Sequence, residues 1–341
     1  MATQPHLLIR ADATPSIGIG HIMRCIALAQ EWIRLSGRVT FLSCCTSDLL
    51  ADRVTQTGAA LVRLDPDAFD RHIRTTLNVL AEDEFTAVAA DGYQFTPGDH
   101  ASLGDSGTTL LVIDDYHHLP VYNADLVLNQ NLGAEQMAYN TRADTRMLLG
   151  SRYTLLRDEF LSSARPAATA GPPDSPTRLL VSMGGSDPDN TTAKVAEALC
   201  RLDPESLSVR IILGPACAHL ENVRQALELA DFPWQIITDA RDMPAQMAWA
   251  DMAIAAAGST AWELLYTGTP AVYLVNAENQ QGVADALAAA DAGINAGWHA
   301  DIDADRLSTM IQNLVQTPEL QTAMANTGKS LIDGAGRERV V

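Results

Sequence analysis

The chain has 341 residues, 47% of them hydrophobic and 19% charged, which is enough apolar material for two cores and too little charge for general disorder. Its 23 Lys and Arg face 42 Asp and Glu, and the net charge of -19 disfavours docking on nucleic acid or on anionic lipid. An anionic substrate would therefore be held by local devices such as helix N-termini rather than by the overall field.

Taken in chain order, HLLIRAD (6–12) reads as a buried strand and Gly20 to Leu35 as a helix. VTFLSCC is the next strand, followed by a helical stretch near Leu49–Gln56 and then ALVRL (60–64). FTAVAAD (85–91), TLLVIDD (109–115) and ADLVLNQN (124–131) follow as strands. Continuous apolar strands separated by helices predict a parallel sheet covered on both faces. Between Ser162 and Thr177 the composition turns to SSARPAATAGPPDSPT, which can neither build a core nor continue a helix, and which reads as a linker.

The alternation then restarts with TRLLVSM (177–183), a helix over Asn190–Leu202, SVRIILG (208–214) and a helix over Leu220–Leu229. PWQIITD, DMAIAAA and PAVYLV read as strands, with helices after Pro244, Ser259 and Gln280. The expectation is an α/β protein with a first domain over 1–161, a linker over 162–177 and a second domain over 178–341. Both would be doubly wound, Rossmann-like units with the carboxyl ends of their sheets facing a central cleft.

The five cysteines, Cys25, Cys44, Cys45, Cys200 and Cys217, form no C-x-x-C pair, so no zinc site or disulfide framework is expected. The N-terminus lacks the pattern of a signal peptide and no run of about 18 apolar residues occurs, so the expected address is cytoplasmic.

The segment RADATPSIGIGHIMRCIALA (10–29) follows a strand and opens a helix, the setting in which glycines let backbone approach a ligand. Gly18 and Gly20 supply that freedom, although Met23 stands where a dinucleotide fingerprint would have its third glycine. His21 falls in the first helical turn, where the macrodipole opposes imidazolium formation; a neutral imidazole there suits general-base work, and a capping or surface role is the competing reading. Arg24 shares its face and either orients a carboxylate or phosphate beside the base or is simply solvated. Asp12 could orient the histidine, contact a sugar hydroxyl or stabilise the turn.

In the second half, LLVSMGGSDPDNTT (179–192) is strand, glycine loop and helix. Gly184, Gly185 and Ser186 could aim N–H groups and a hydroxyl at a diphosphate, with the next helix adding its dipole. Asp187-Pro188-Asp189 has the spacing of metal-binding carboxylates, but Asp189 or Asn190 reads better as an N-cap, so no metal and no cofactor is expected. GSTAWELLYTGTP (258–270) is a second glycine turn into a helix; Glu263, a turn beyond Ser259, could accept from both hydroxyls of a ribose or serve as an ordinary surface glutamate. In NAENQQG (276–282), Asn279 and Gln280 stand at a helix start, where amides either cap or meet a ligand.

Together RADATPSIGIGHIMRCIALA, VIDDY, LVLNQN, YTLLRDEF and VSMGGSDPDNTT resemble the PseG-type UDP-sugar hydrolases of pseudaminic acid biosynthesis over nearly the whole chain. The second half also resembles MurG-type glycosyltransferases. The resemblance implies a GT-B fold with the nucleotide mainly on the second domain, and hydrolysis of UDP-2,4-diacetamido-2,4,6-trideoxy-β-L-altropyranose by water attack at the anomeric carbon. It maps the catalytic histidine onto His21, an active-site tyrosine onto Tyr93 and an active-site asparagine onto Asn279, with Asp115 of VIDDY on the substrate side. The expected partners are the UDP-sugar and UDP, and the expected state is a monomer. A MurG-like inverting glycosyltransferase and a non-catalytic nucleotide-sugar binding module are the competing functions.

Overall fold

In the computed structural model, which describes residues 4–14, 17–66, 72–162, 175–214 and 217–341, the chain divides into two compact units. The first comprises Met1–Asp158 and Gly334–Val341, the second Glu159–Asp333.

The first unit carries a seven-stranded sheet of β1 (His6–Ala11), β2 (Arg38–Ser43), β3 (Ala60–Arg63), β4 (Ala87–Asp91), β5 (Thr109–Ile113), β6 (Leu126–Asn129) and β7 (Arg146–Leu149). The strands run in the order β3-β2-β1-β4-β5-β6-β7 and every pairing is parallel. All six residues of β1 are buried, as a strand covered by helices on both faces requires. Helix α1 (Gly20–Arg34) covers one face, where Ile22, Ile26 and Ala29 join the core under Leu7, Ile9 and Phe41. Helices α2 (Asp48–Gln56), α3 (His72–Glu82) and α4 (Pro97–Gly104) also belong to the unit, the last opened by a capping box between Thr96 and Asp99.

Helix α5 (Asp158–Ser162) begins on the last residue of the first unit's main segment, and the second unit repeats the plan. Strands β8 (Thr177–Ser182), β9 (Leu207–Leu213), β10 (Trp234–Thr238), β11 (Met252–Ala256), β12 (Ala271–Val275) and β13 (Ile294–Trp298) form a parallel sheet in the order β10-β9-β8-β11-β12-β13. Helices α6 (Thr191–Leu199), α7 (Leu220–Leu227), α8 (Met243–Trp249), α9 (Ser259–Thr267), α10 (Glu278–Ala289), α11 (Ala304–Val315) and α12 (Pro318–Leu331) accompany it. In both sheets the chain works outward from the first strand and then reverses. The reversal leaves a switch point beside β1 and β4 in one unit and beside β8 and β11 in the other, where ligands of such sheets bind.

One boundary differs from the sequence reading, which ran the second domain to residue 341. Helix α13 (Gly336–Val340) belongs to the first unit. Arg337 lies 3.3 Å from the buried Glu31 and 2.5 Å from Asp158, and a Cβ on Gly336 would fall 2.2 Å from the Thr154 carbonyl. Most of the expected 162–177 linker, residues 163–174, lies outside the described residues. No helix is long and apolar enough to cross a membrane, among the described residues.

Candidate active site

The turn after β1 delivers His21. Gly18 is left-handed at φ +79°, with nothing within 4 Å of where a Cβ would stand, so backbone conformation rather than space calls for glycine. Gly20 is the first residue of α1, whose N-cap, Ile19, offers no side-chain hydrogen bond. His21 is buried one position further on.

Its orienting partner is Asp91, at the carboxyl end of β4. His21 Nδ1 stands 2.6 Å from Asp91 Oδ1. Burial opposes the charge of Asp91, yet Arg24 and His21 together hold its carboxyl well below the usual carboxylate range. A carboxylate only accepts, so Nδ1 carries the hydrogen and donates. That leaves Nε2 as the acceptor nitrogen of the neutral ring, and it makes no hydrogen bond among the described residues.

Arg24, one turn beyond His21, holds the carboxylates in place. Its Nε and Nη2 donate to the two oxygens of Asp91, and its Nη1 donates to Asp115 Oδ1, each at 2.6 Å. Arg24 Nη2 is also 3.1 Å from His21 Nδ1, but both are donors there and share Asp91 Oδ1. The Cys25 thiol donates to Asp91 Oδ2 at 3.4 Å, and its own ionisation is pushed well up by burial and then by that carboxylate. Tyr93 donates its hydroxyl to Asp115 Oδ2, and its ring makes a T-shaped contact with that of His21, with centroids 4.8 Å apart. Burial, then Asp115, keeps the Tyr93 phenol protonated far above its ordinary range.

Asp12 takes no part in this. Its oxygens accept from both terminal nitrogens of Arg10, from the Cys44 N–H at 2.7 Å and from Gln94 Nε2 at 2.9 Å. Four donors fill a carboxylate, and Asp12 is 1% exposed, so the expected contact with His21 or a sugar is replaced by a buried pair within β1 and its turn. Of the two roles expected for Arg24, its donors serve the carboxylate one, fixing Asp91 and Asp115 beside His21. The sequence reading did not single out Asp91; its one signal was that FTAVAAD ends in an acid, as HLLIRAD does.

In the second unit Gly184, Gly185 and Ser186 form the loop after β8, with Gly184 left-handed at φ +92°. A Cβ on Gly214 would fall 2.2 Å from the Gly185 carbonyl, so two glycines let this loop cross the end of β9. The N-cap of α6 is Asn190, one of the two residues expected there, but its side chain makes no capping bond; that task falls to Asp187, left-handed at φ +42°. Its two oxygens accept from the Thr191 and Thr192 N–H groups at 2.8 and 2.9 Å, so a resident carboxylate already occupies the helix start expected to help hold phosphate.

The starts of α9 and α10 differ. Gly258 and Ala277, their N-caps, supply no side-chain hydrogen bond. Ser259 opens α9, and Glu263 sits one turn on, half-buried. Asn279 and Gln280 lie in the first turn of α10; Gln280 Oε1 accepts from the N–H of Asn276, which precedes the N-cap, at 2.9 Å, so it caps no helical N–H. A Cβ on Gly258 would be 3.6 Å from Gln280 Nε2, which brings the two helix starts together beyond β11 and β12.

With this geometry in hand, the similarities to known proteins are informative. Residues 179–336 match the glycosyltransferase family 28 C-terminal domain. The structure of Acinetobacter baumannii MurG superposes with a TM-score of 0.67 at 16% identity, covering 98% of both chains. The fold is GT-B. The chain is 25% identical over 237 residues to the spore coat polysaccharide biosynthesis protein SpsG of Bacillus subtilis, covering 69% of each. It is 23% identical over 226 residues to the UDP-2,4-diacetamido-2,4,6-trideoxy-β-L-altropyranose hydrolase of Campylobacter jejuni, covering 65% of this chain and 74% of that protein.

Proposed function

We propose that this GT-B protein hydrolyses a UDP-sugar, with UDP-2,4-diacetamido-2,4,6-trideoxy-β-L-altropyranose as the substrate that the similarity to the Campylobacter jejuni hydrolase favours. The observation that carries the reading is the His21–Asp91 pair: an ionised, fully buried carboxylate takes the Nδ1 hydrogen and leaves Nε2 to receive a proton. In the reaction Nε2 takes a proton from water as the water oxygen bonds to the anomeric carbon. The bond from that carbon to the UDP oxygen breaks, its electrons stay with UDP, and the free sugar leaves inverted. UDP is a good leaving group when its diphosphate is met by N–H donors, so a second carboxylic acid is not needed. In this reading the uncapped starts of α9 and α10 supply those donors, with Ser259, Asn279 and the Gly184–Ser186 loop beside them, and Glu263 accepts from the ribose.

A second reading, transfer to an acceptor hydroxyl in place of water, is favoured by the match of residues 179–336 to a glycosyltransferase domain. The same imidazole would serve. Incubating the protein with the UDP-sugar and no acceptor separates the two. Free sugar and UDP released together, with oxygen from ¹⁸O-water at C1 of the sugar, support hydrolysis. Turnover only on adding an acceptor overturns it in favour of transfer.

A further inference from the structure

Beside His21 and Asp91 the first unit holds a second histidine–carboxylate pair that the proposed reaction leaves unused. Asp114 is fully buried just beyond β5, and its carboxyl is held below the usual range; burial opposes this, but hydrogen bonds from His118, Tyr139, His117 and Tyr122 prevail. Oδ1 accepts from His118 Nδ1 at 2.8 Å and the Tyr122 hydroxyl at 2.9 Å; Oδ2 accepts from the Tyr139 hydroxyl at 2.6 Å and the His117 N–H at 2.8 Å. Four donors saturate the carboxylate, so it serves only to position its neighbours.

The consequence falls on His118. Its Nδ1–H is fixed on Asp114, which makes Nε2 the acceptor of the neutral ring, and that atom is buried with no hydrogen-bond partner among the described residues. Buried ring nitrogens are rarely left bare without a ligand or water to meet them. The ring lies close to the proposed catalytic group: its centroid is 5.3 Å from that of Tyr93, which is in turn 4.8 Å from that of His21. Tyr116, which is 39% exposed, closes a triangle of rings at 5.1 Å from Tyr93 and 5.5 Å from His118. Aromatic rings beside a bare acceptor suit a sugar, whose C–H groups pack on ring faces while an O–H or acylamino N–H donates.

We propose that His118, positioned by Asp114, is a second imidazole of the sugar subsite, whose Nε2 accepts a hydrogen bond from a sugar hydroxyl or acylamino N–H. This rests on the reading that the first unit handles the sugar of a UDP-sugar. The test uses the full chain with ¹⁵N-labelled histidines, with UDP and UDP-N-acetylglucosamine as probes. The His118 Nε2 resonance, assigned with His118→Gln, is expected to move on adding the sugar nucleotide and to stay in place with UDP alone. His118→Gln and His118→Asn are expected to raise KM about tenfold, the worth of one hydrogen bond, with kcat and UDP affinity nearly unchanged. A His118 resonance indifferent to bound UDP-N-acetylglucosamine, or equally moved by UDP, overturns the inference and leaves the His21 reading intact. Failure of the wild-type chain to bind either nucleotide overturns that reading and this inference with it.

Discussion

At the carboxyl edge of the first sheet the acidic side chains are all engaged, whereas the second sheet presents two helix starts with no side-chain cap. Asp12 is filled by Arg10, Cys44 and Gln94, Asp91 by His21, Arg24 and Cys25, and Asp115 by Arg24, Asn131 and Tyr93. In the second unit one carboxylate, Asp187, covers α6, while α9 and α10 begin at Gly258 and Ala277 without side-chain caps. The contrast separates two tasks. A network of saturated acids fixes one imidazole in one tautomer, and open N–H groups suit a diphosphate. With a net charge of -19, the proposed anionic ligand would need such local donors, because the overall field repels it.

Four substitutions probe the contrast, the two on turnover and binding first and the two on stability after, each pair from the larger expected effect to the smaller. His21→Asn removes the proton acceptor, and kcat should fall about 10²–10⁴-fold while UDP affinity, measured by calorimetry, stays the same. An equal loss of UDP affinity would show that the histidine acts in binding instead. Glu263→Ala should weaken UDP about tenfold or more and leave 2′-deoxy-UDP less affected; equal losses for both nucleotides would remove the ribose role.

The third concerns acid stability of the first unit. His100 is 1% exposed, and burial lowers its pKa to about 4. The unfolded chain binds that proton from about pH 6.5 downward, so between about pH 6.5 and 4 the unfolded state holds more proton and stability falls as pH falls. The full span is worth about 3 kcal/mol. His100→Leu should flatten that part of the urea-midpoint profile, and an unchanged slope would assign the acid sensitivity elsewhere. The smallest effect is expected from Asp187→Ala, which uncaps α6 and should cost about 1 kcal/mol in thermal unfolding. If the freed N–H groups then bind phosphate more tightly than in the parent chain, the resident carboxylate is what had kept that helix start closed.

Much of the fold was legible because buried parallel strands are continuous apolar runs: HLLIRA, LLVI and AVYLV each coincide with a fully or mostly buried strand. Strands β7 and β13 were not, since RMLL opens on an exposed arginine and buries only one of its four residues, and INAGW carries a glycine. The return of α13 to the first unit depends on Arg337 reaching Glu31, a long-range pairing with no local signature. In the site, the G-I-G-H turn pointed to His21 by glycine freedom and helix position alone. Three strands lead into acids, Asp12, Asp91 and Asp115, and local pattern cannot say which of them meets the histidine. That choice is made by the sheet order, which sets β4 directly beside β1, and by Arg10, which shares a strand face with Asp12 and captures it.

The proposed base role of His21 turns on which of its ring nitrogens carries the hydrogen. Long-range ¹H–¹⁵N correlation spectra of the histidine-labelled chain, recorded where the ring is neutral, read this directly. The expected result is a hydrogen on Nδ1 and a bare Nε2 in the wild-type chain, with that preference lost in Asp91→Asn. A hydrogen on Nε2 in the wild type, or a tautomer that Asp91→Asn leaves unchanged, would contradict the assignment of His21 as the base.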